Sequence, residues 1–320
     1  MKAYEMINFS ISEAFDQQDV AVAIERLFGD KIYAYQLGKA EGNARLQIIE
    51  VPEYQLTIFK KEVVTKEYLS FTVPADYVVI SFSYSSDGFW SNGLLLKQHF
   101  ISFYGSGNTY HEVSGANGWQ SYDLVIHKQE LLKLCWFDNT DFTFIETSKQ
   151  PLYVQVDERQ ANDLKGLMGS VFSVGQQQNI QIDANRLEPV WDRLEALLSD
   201  TGLTIHKFSP AKSKRCRNLI TALSIIHNNQ HAPIKVEDLA IKLNMSERSI
   251  NNLFNSTFNL SPYQFSIMVR LNTVRRLLKD ESQVVEKVCS EYGFQTLSRF
   301  RSQYTRLFGE LPSQTHFHSE

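Results

Sequence analysis

Arg248, Asn251 and Asn252 fall within five positions of one another, interleaved with the apolar residues Ile250, Leu253 and Phe254. A guanidinium can fork onto O6 and N7 of guanine, and a carboxamide can pair with N6 and N7 of adenine. Ser246 is suited to cap a helix beginning at this point, which would turn Arg248, Ser249, Asn251, Asn252 and Asn255 outward. The chemistry on offer is hydrogen bonding to base edges, with Arg248, Ser249, Asn251 and Asn252 as the expected readers. About fifty residues on, Thr296, Ser298, Arg299, Arg301 and Ser302 make a second outward set, in which Ser298 and Arg301 are the expected readers. Ser246, Arg270, Arg275, Thr296, Arg299 and Arg306 are candidates for phosphate contact, as are Arg276 and Lys279. The competing account of each is a charged or polar residue solvated on the face of an amphipathic helix.

These side chains need elements to hold them, and the same element occurs twice. Residues 234–257 read IKVEDLAIKLNMSERSINNLFNST and residues 284–307 read VVEKVCSEYGFQTLSRFRSQYTRL. In the first copy Val236, Leu239, Ala240 and Leu243 form an apolar stripe, Asn244-Met245 breaks it, and Ile250, Leu253 and Phe254 resume it. In the second the stripe is Val284, Val285, Val288 and Cys289, the break is Gly293-Phe294, and Leu297, Phe300 and Tyr304 resume it. A short helix, a turn and a second helix is the grammar of helix-turn-helix units, whose second helix lies in the major groove. Between the copies, PYQFSIMVRLNTVRRLLK (262–279) predicts a connecting helix with Pro262 in its first turn and Tyr263, Ile267, Leu271, Val274 and Leu278 along one face. Its length of roughly 27 Å approaches the ~34 Å between successive major grooves on one face of DNA. Two units on one chain can therefore read two grooves without a dimer.

Charge divides the 320-residue chain in the same place. Residues 211–320 carry 15 Lys+Arg against 9 Asp+Glu, a net of +6; residues 1–210 carry 17 against 27, a net of −10. A basic tail on an acidic body suits a protein that meets phosphate at one end. The overall content, 43% hydrophobic and 21% charged, is that of a soluble globular protein with length enough for two cores. There is no apolar run of membrane-spanning length and no secretory signal at the start, so a cytoplasmic location without membrane contact is expected. Cys135, Cys216 and Cys289 share no metal-binding spacing and suit buried positions; the basic neighbours Lys214, Arg215 and Arg217 leave a low thiol pKa at Cys216 as the other reading.

Residues 44–127 read as strands. ARLQIIEV, YQLTIFKK, KEYLSFTV, YVVISFSY, LLLKQHFISF and YDLVIHK are rich in β-branched and aromatic residues, and are separated by Pro52-Glu53, Pro74-Ala75, Ser86-Asp87-Gly88, Ser91-Asn92-Gly93 and the Gly/Ser/Asn-rich stretch 105–118. An antiparallel sandwich or barrel is expected, with helices at 129–136, 157–174 and 185–199. The last has Leu187, Trp191, Leu194 and Leu198 on one side, a face that can cover the barrel or the same helix of a second subunit. The fold class is thus α+β with two domains: a β-barrel or sandwich with C-terminal helices over residues 1–205, a linker at 206–213 around Pro210, and an all-α tandem helix-turn-helix domain over 214–320. His99, His111 and His127 stand apart, no HxH, HExxH or GxSxG occurs, and the GSG of 105–107 lacks the rest of a phosphate loop, so neither catalysis, a metal nor a cofactor is expected. The many aromatics of the strands can fill a core or leave a ligand cavity at the mouth of a barrel; the pattern fits both.

The last ~100 residues resemble the AraC/XylS transcriptional regulators through VEDLAIKLNMSERSINNLF, SPYQF followed by VRLNTVRRLL, VCSEYGFQTLSRFRSQY, and FGELPSQ, in matching order and spacing. MVRLNTVRRLL and SQYTRLFGELPSQTHF are more loosely similar to the ethanolamine-operon regulator branch. The resemblance covers about a third of the chain and implies, for the body, only ligand sensing or dimerisation. Where the family has glycine before the first Ser-Pro, this chain has Asn259, which tolerates the left-handed conformation; Gly309 keeps the second position. The family's F-x-R-x-F-K is here Phe300-Arg301-Ser302-Gln303-Tyr304-Thr305, so the arginine is displaced by one position, about 100° around the helix. The expected function is a sequence-specific transcription regulator, an activator, whose body senses a small molecule. The alternative is a ligand-independent regulator whose body dimerises or binds a protein. Double-stranded DNA, RNA polymerase, a small-molecule effector and a second copy are the expected partners.

Overall fold

A computed structural model of the chain describes residues 10–15, 17–29, 31–39, 44–51, 54–85, 87–96, 99–133, 151–175, 187–198, 205–207, 214–280 and 282–315. The body is a two-sheet sandwich. One antiparallel sheet has the strand order β1 (Ser10–Phe15), β3 (Ala44–Val51), β4 (Leu56–Val63), β11 (Trp119–His127), β6 (Tyr77–Tyr84), β9 (Phe100–Tyr104), β12 (Leu152–Gln155), β13 (Ile205–Lys207). The second has the order β2 (Tyr33–Gln36), β5 (Glu67–Thr72), β10 (Thr109–Val113), β7 (Phe89–Ser91), β8 (Leu94–Leu96).

The large sheet is apolar on both faces, and alternation sorts its residues. Leu56 and Ile58 of β4, Val78, Ile80 and Phe82 of β6, and Leu124 and Ile126 of β11 point outward to helices α3 (Glu158–Gly175) and α4 (Glu188–Leu198). Phe59 and Val63, Val79, Trp119 and Val125 point inward to the second sheet and to α1 (Gln17–Phe28). A short helix, α2 (Lys128–Lys133), follows β11.

The strands expected at 44–51 and 77–84 form as written. The run 94–103 is two strands in two different sheets, and the stretch 105–118 contains β10, the middle strand of the second sheet. The linker expected from 206 begins inside β13, which pairs with β12 through Tyr153 opposite His206; residues 208–213 lie outside the described residues, as does Cys135. The helix expected at 185–199 spends its apolar face inside the chain. Val190, Trp191, Leu194 and Leu197 of α4 join the outer core, and Trp191 is 3% exposed. Among the described residues no helix is long and apolar enough to cross a membrane.

The C-terminal helices are α5 (Lys214–Asn228), α6 (Val236–Leu243), α7 (Glu247–Phe258), α8 (Pro262–Leu278), α9 (Val285–Glu291) and α10 (Leu297–Phe308). The connecting helix α8 serves two cores. Phe265 and Val269 pack with Leu239, Ile250, Leu253 and Phe254 of the first unit. Ile267, Leu271, Val274 and Leu278 pack with Val288, Phe300 and Tyr304 of the second. Tyr263, expected on the apolar face, is 40% exposed, because both sides of α8 are covered and Phe265 fills the first core instead.

Trp191→Asp should therefore unfold the body rather than separate subunits. Burying a carboxylate in that core and losing the indole should lower unfolding stability by at least about 3 kcal/mol. Urea unfolding measures this; an unchanged midpoint would mean that the indole does not pack on the sheet.

Candidate nucleic-acid interface and the cavity behind it

Each helix-turn-helix bend rests on a residue in the left-handed region or on a cap. Asn244 (φ 49°) ends α6, and the Ser246 hydroxyl caps α7 by accepting from the Ser249 N–H at 3.2 Å. Asn259 (φ 57°) ends α7 in the conformation expected of it, and Ser261 opens α8 with a reciprocal capping box to Gln264. Gly293 (φ 71°) makes the second bend, where a Cβ would stand 2.5 Å from the His231 carbonyl oxygen. Thr296 caps α10 and Gly309 (φ 78°) ends it.

On α7, Arg248, Ser249, Asn252 and Asn255 are exposed together. Asn251 is only half exposed, and its amide donates back to the Glu247 carbonyl at 3.0 Å. On α10, Ser298, Arg299, Arg301, Ser302 and Arg306 are exposed, with Arg301 reaching Glu286 at 3.5 Å, a surface pair worth little. Ser246 and Thr296 are exposed at their caps.

Two phosphate candidates have other work. Arg270 is 3% exposed; its guanidinium lies 4.7 Å over the Phe294 ring and donates to the carbonyls of Tyr292 (2.9 Å) and Gly293 (3.3 Å). It holds the second bend and does not face phosphate. Arg275 pairs with Glu310 at 2.8 Å over the ring of Phe308, which ties the segment after α10 to α8. A cation that sequence reasoning missed is Lys39 of the body, which lines a shallow cleft with Arg301, Ser302, Thr305 and Arg306. No local signal could have found it, since it sits far from α10 in sequence.

The body meets the C-terminal helices along the second sheet. Tyr33, Tyr35 and Tyr68 turn outward from it, Tyr33 stacking on His227 of α5 at 5.0 Å and Tyr68 meeting Phe258 and Phe265 edge-on. Gln36 and Asn272 of α8 exchange hydrogen bonds: the Gln36 N–H donates to Asn272 Oδ1 (2.9 Å), and Asn272 Nδ2 donates to the Gln36 carbonyl (3.0 Å). Gln36 Nε2 also donates to the carbonyl of Leu307 in α10 at 2.7 Å. Two ion pairs join α1 to α8. Arg276 forks onto Glu25 at 3.0 and 2.5 Å, and Lys279 meets Asp19. Cys216 Sγ donates to the Asn92 carbonyl at 3.0 Å, and burial pushes its thiol up to about 11, the opposite of an activated cysteine.

The inner face of the same sheet closes a cavity of about 90 Å³ against α1 and the large sheet. Val20, Ile24, Phe28, Leu69 and Phe71 supply apolar wall, and Lys61, Tyr104, Glu112 and Asp123 supply a polar end. Lys61 is paired with Glu67 at 2.8 Å. Glu112 accepts from the Tyr104 hydroxyl and from Ser91 (3.2 Å). Burial, with the charge of Asp123 adding to it, raises Glu112 to about 7. From Glu112 a chain of hydrogen-bonding groups runs through Ser91, Tyr153 and Asn92 to Cys216, at the start of α5. Of His99, His111 and His127, His111 is held by the Tyr68 hydroxyl at 2.9 Å, and burial lowers it to about 4.

A family profile described as a helix-turn-helix domain matches residues 239–316. This chain is similar to the HTH-type transcriptional regulator GbdR of Pseudomonas aeruginosa, with 31% identity over 90 residues, 28% of this chain and 24% of that protein. It is similar to the XylDLEGF operon transcriptional activator of Pseudomonas putida, with 34% identity over 96 residues, 29% of this chain and 30% of that one. These curated relatives are thus matched over about a quarter to a third of their length. A solved structure of a probable AraC family transcriptional regulator from Rhodopseudomonas palustris is 29% identical, covers 32% of this chain and 98% of its own, and has a TM-score of 0.31. The C-terminal domain is a helix-turn-helix domain of the AraC/XylS kind.

Arg248→Ala should cost about 1–3 kcal/mol on selected DNA and relax preference at one base pair, whereas Arg306→Ala should weaken all sequences alike and reduce the salt slope by about 1. Titration of both variants against a panel of DNA sequences separates the roles; a uniform loss for Arg248→Ala makes it a phosphate contact. Because the Glu112 carboxyl is raised in the folded chain, its contribution to stability is present below the ordinary carboxyl value of 4.5 and is lost as pH rises through about 7. Glu112→Gln should therefore gain about 2–3 kcal/mol relative to the parent between about pH 5 and about pH 8. Urea unfolding at both pH values checks it; an equal difference at the two would remove the carboxyl as the cause.

Proposed function

We propose, with a C-terminal domain of the AraC/XylS kind as the premise, that the chain is a sequence-specific, DNA-binding transcription regulator whose body senses a small molecule. The body is taken as residues 1–205 with the boundary segment at 206–213, and the DNA-binding domain as 214–320. On α7, Arg248, Ser249, Asn252 and the half-exposed Asn251 are the proposed base readers; on α10 they are Ser298 and Arg301. Ser246, Thr296, Arg299 and Arg306 are the proposed phosphate contacts, joined by Lys39. Activation carries over from the relative named as an operon activator, and RNA polymerase is the partner that activation would need. A cytoplasmic setting suits that work.

One observation carries the reading of the body. The elements that wall the cavity, α1 and the second sheet, are the elements that grip α8. Arg276 and Lys279 can neutralise Glu25 and Asp19 or DNA phosphates, but not both at once. An occupant that moved α1 would change how free those two cations are. The ligand-independent alternative loses its expected dimer helix, since the apolar face of α4 is covered within the chain.

The test is selection of bound sequences from random DNA at one fixed salt concentration, on the full chain and on its Asp19→Asn/Glu25→Gln variant. A motif of two boxes about one helical turn apart supports both units as readers. The variant should bind the selected DNA more tightly, with a salt slope steeper by up to about 2. Failure of the full chain to enrich any sequence would overturn the regulator reading. An unchanged slope would remove Arg276 and Lys279 from the coupling.

A further inference from the structure

The body holds the C-terminal end of both α7 and α10, the second helix of each unit. A helix leaves its last four carbonyls without an intrahelical partner, and the negative end of its dipole lies there. Phe258 is the last residue of α7, and Leu307 is the last but one of α10. The Lys66 ammonium, from the turn between β4 and β5, donates to the Phe258 carbonyl. The Gln36 carboxamide, from β2, donates to the carbonyls of Leu307 (2.7 Å) and Gly38 (2.8 Å), which uses both of its N–H groups. The Leu37 N–H donates to the Lys66 carbonyl at 2.9 Å, so the two donors stand on backbone that is bonded together.

Their surroundings leave these two side chains little choice of partner. Lys66 is half-buried and burial lowers its pKa, with no carboxylate among the described residues acting against the shift. Withdrawing an ammonium from water is costly, and the negative end of α7 is what compensates it. Gln36 is 3% exposed and lies on β2, an edge strand of the second sheet. Its backbone N–H and carbonyl are paired by the Asn272 side chain of α8, much as a neighbouring strand would pair them. Three helices of the C-terminal domain, α7, α8 and α10, thus meet one patch of the body at residues 36–38 and 66.

Resting on the reading of both units as DNA readers, we infer that Gln36 and Lys66 are positioning residues: they set the separation and relative tilt of α7 and α10, so that the docked body determines which half-site spacing the chain accepts. The N-terminal residues of such helices meet the bases, so a grip at the C-terminal end steers the reading end without covering it. Each helix has 12 residues. A rod of that size is about 18 Å long, and a tilt of roughly 10° at the held end moves the other by about 3 Å, close to the ~3.4 Å rise of one base pair. A small rocking of either helix is therefore enough to change the spacing that fits.

The experiment measures the affinity of the full chain, at one fixed salt concentration, for the two-box site it selects and for copies with one base pair added or removed between the boxes. The parent should favour its own spacing by at least about tenfold, the worth of one displaced base contact. Gln36→Met/Lys66→Met keeps both stems and removes both donors. It should cut the spacing preference to within about threefold and leave the preference for letters inside each box unchanged. Lys66→Arg, which still donates to a carbonyl, should keep the parent's preference. An undiminished spacing preference in the double variant would overturn the proposal. So would a preference for letters that falls in step with it, since that marks loss of reading rather than of placement. If the double variant does not fold, Lys66→Met alone, at a half-buried position, decides: a spacing preference equal to the parent's overturns the proposal. Failure of the parent to bind any two-box site would instead overturn the reading of both units on which the inference rests.

Discussion

The structure depends on a sheet that is covered on both sides. In β10 the side chains of Tyr110 and Glu112 belong to the inside of the body, while Val113 between the strands and helices belongs with Leu219, Leu223 and Phe265. In β5, Leu69 and Phe71 face inward and Tyr68 faces outward. Strand alternation thus assigns successive residues to two compartments, and a strand cannot tilt or slide in one without doing so in the other. The interior of the body and the surface on which α5, α7 and α8 rest are two faces of one layer of backbone. Close packing on both sides leaves little slack to absorb a displacement.

Polar groups tie the same layer together. Tyr104, Glu112, Ser91, Tyr153 and Asn92 form a buried run of hydrogen bonds, each bonded to another member of the run. Such a network is sensitive to the loss or protonation of any one group, because the partner left behind stays buried. Its last link is the thiol of Cys216, on α5, the first of the C-terminal helices.

What could be read from the residues alone was what depends on near neighbours. The helix-turn-helix bends rest on Ser246, Ser261, Asn244 and Asn259, each acting within a few residues of itself, and the stripes of α6, α7, α9 and α10 follow one period. The alternation of β3 and β6 was equally local. TYHEV escaped notice because glycine, serine and asparagine surround it, and pairing with β5 and β7 is what makes it a strand. The Gln36–Asn272 seam joins residues 236 positions apart, which no spacing rule reaches. Arg270 and Arg275 went astray for a different reason. On a helix with one solvent face an arginine is outward, but α8 is buried on both sides, and its cations are used to hold carbonyls and a carboxylate.

Arg270 makes a ruler of the connecting helix. Its hydrogen bonds to Tyr292 and Gly293 fix the bend of the second unit to the middle of a helix whose other end is packed into the first. Inserting one base pair between two recognition sites moves them apart by about 3.4 Å and turns one about the DNA axis by roughly 34°. A hinge could follow that change; a guanidinium clamped to two carbonyls over an aromatic ring resists it. If both units read DNA as proposed, the distance between two half-sites becomes part of the message, and a site with the correct letters at the wrong spacing is a different word.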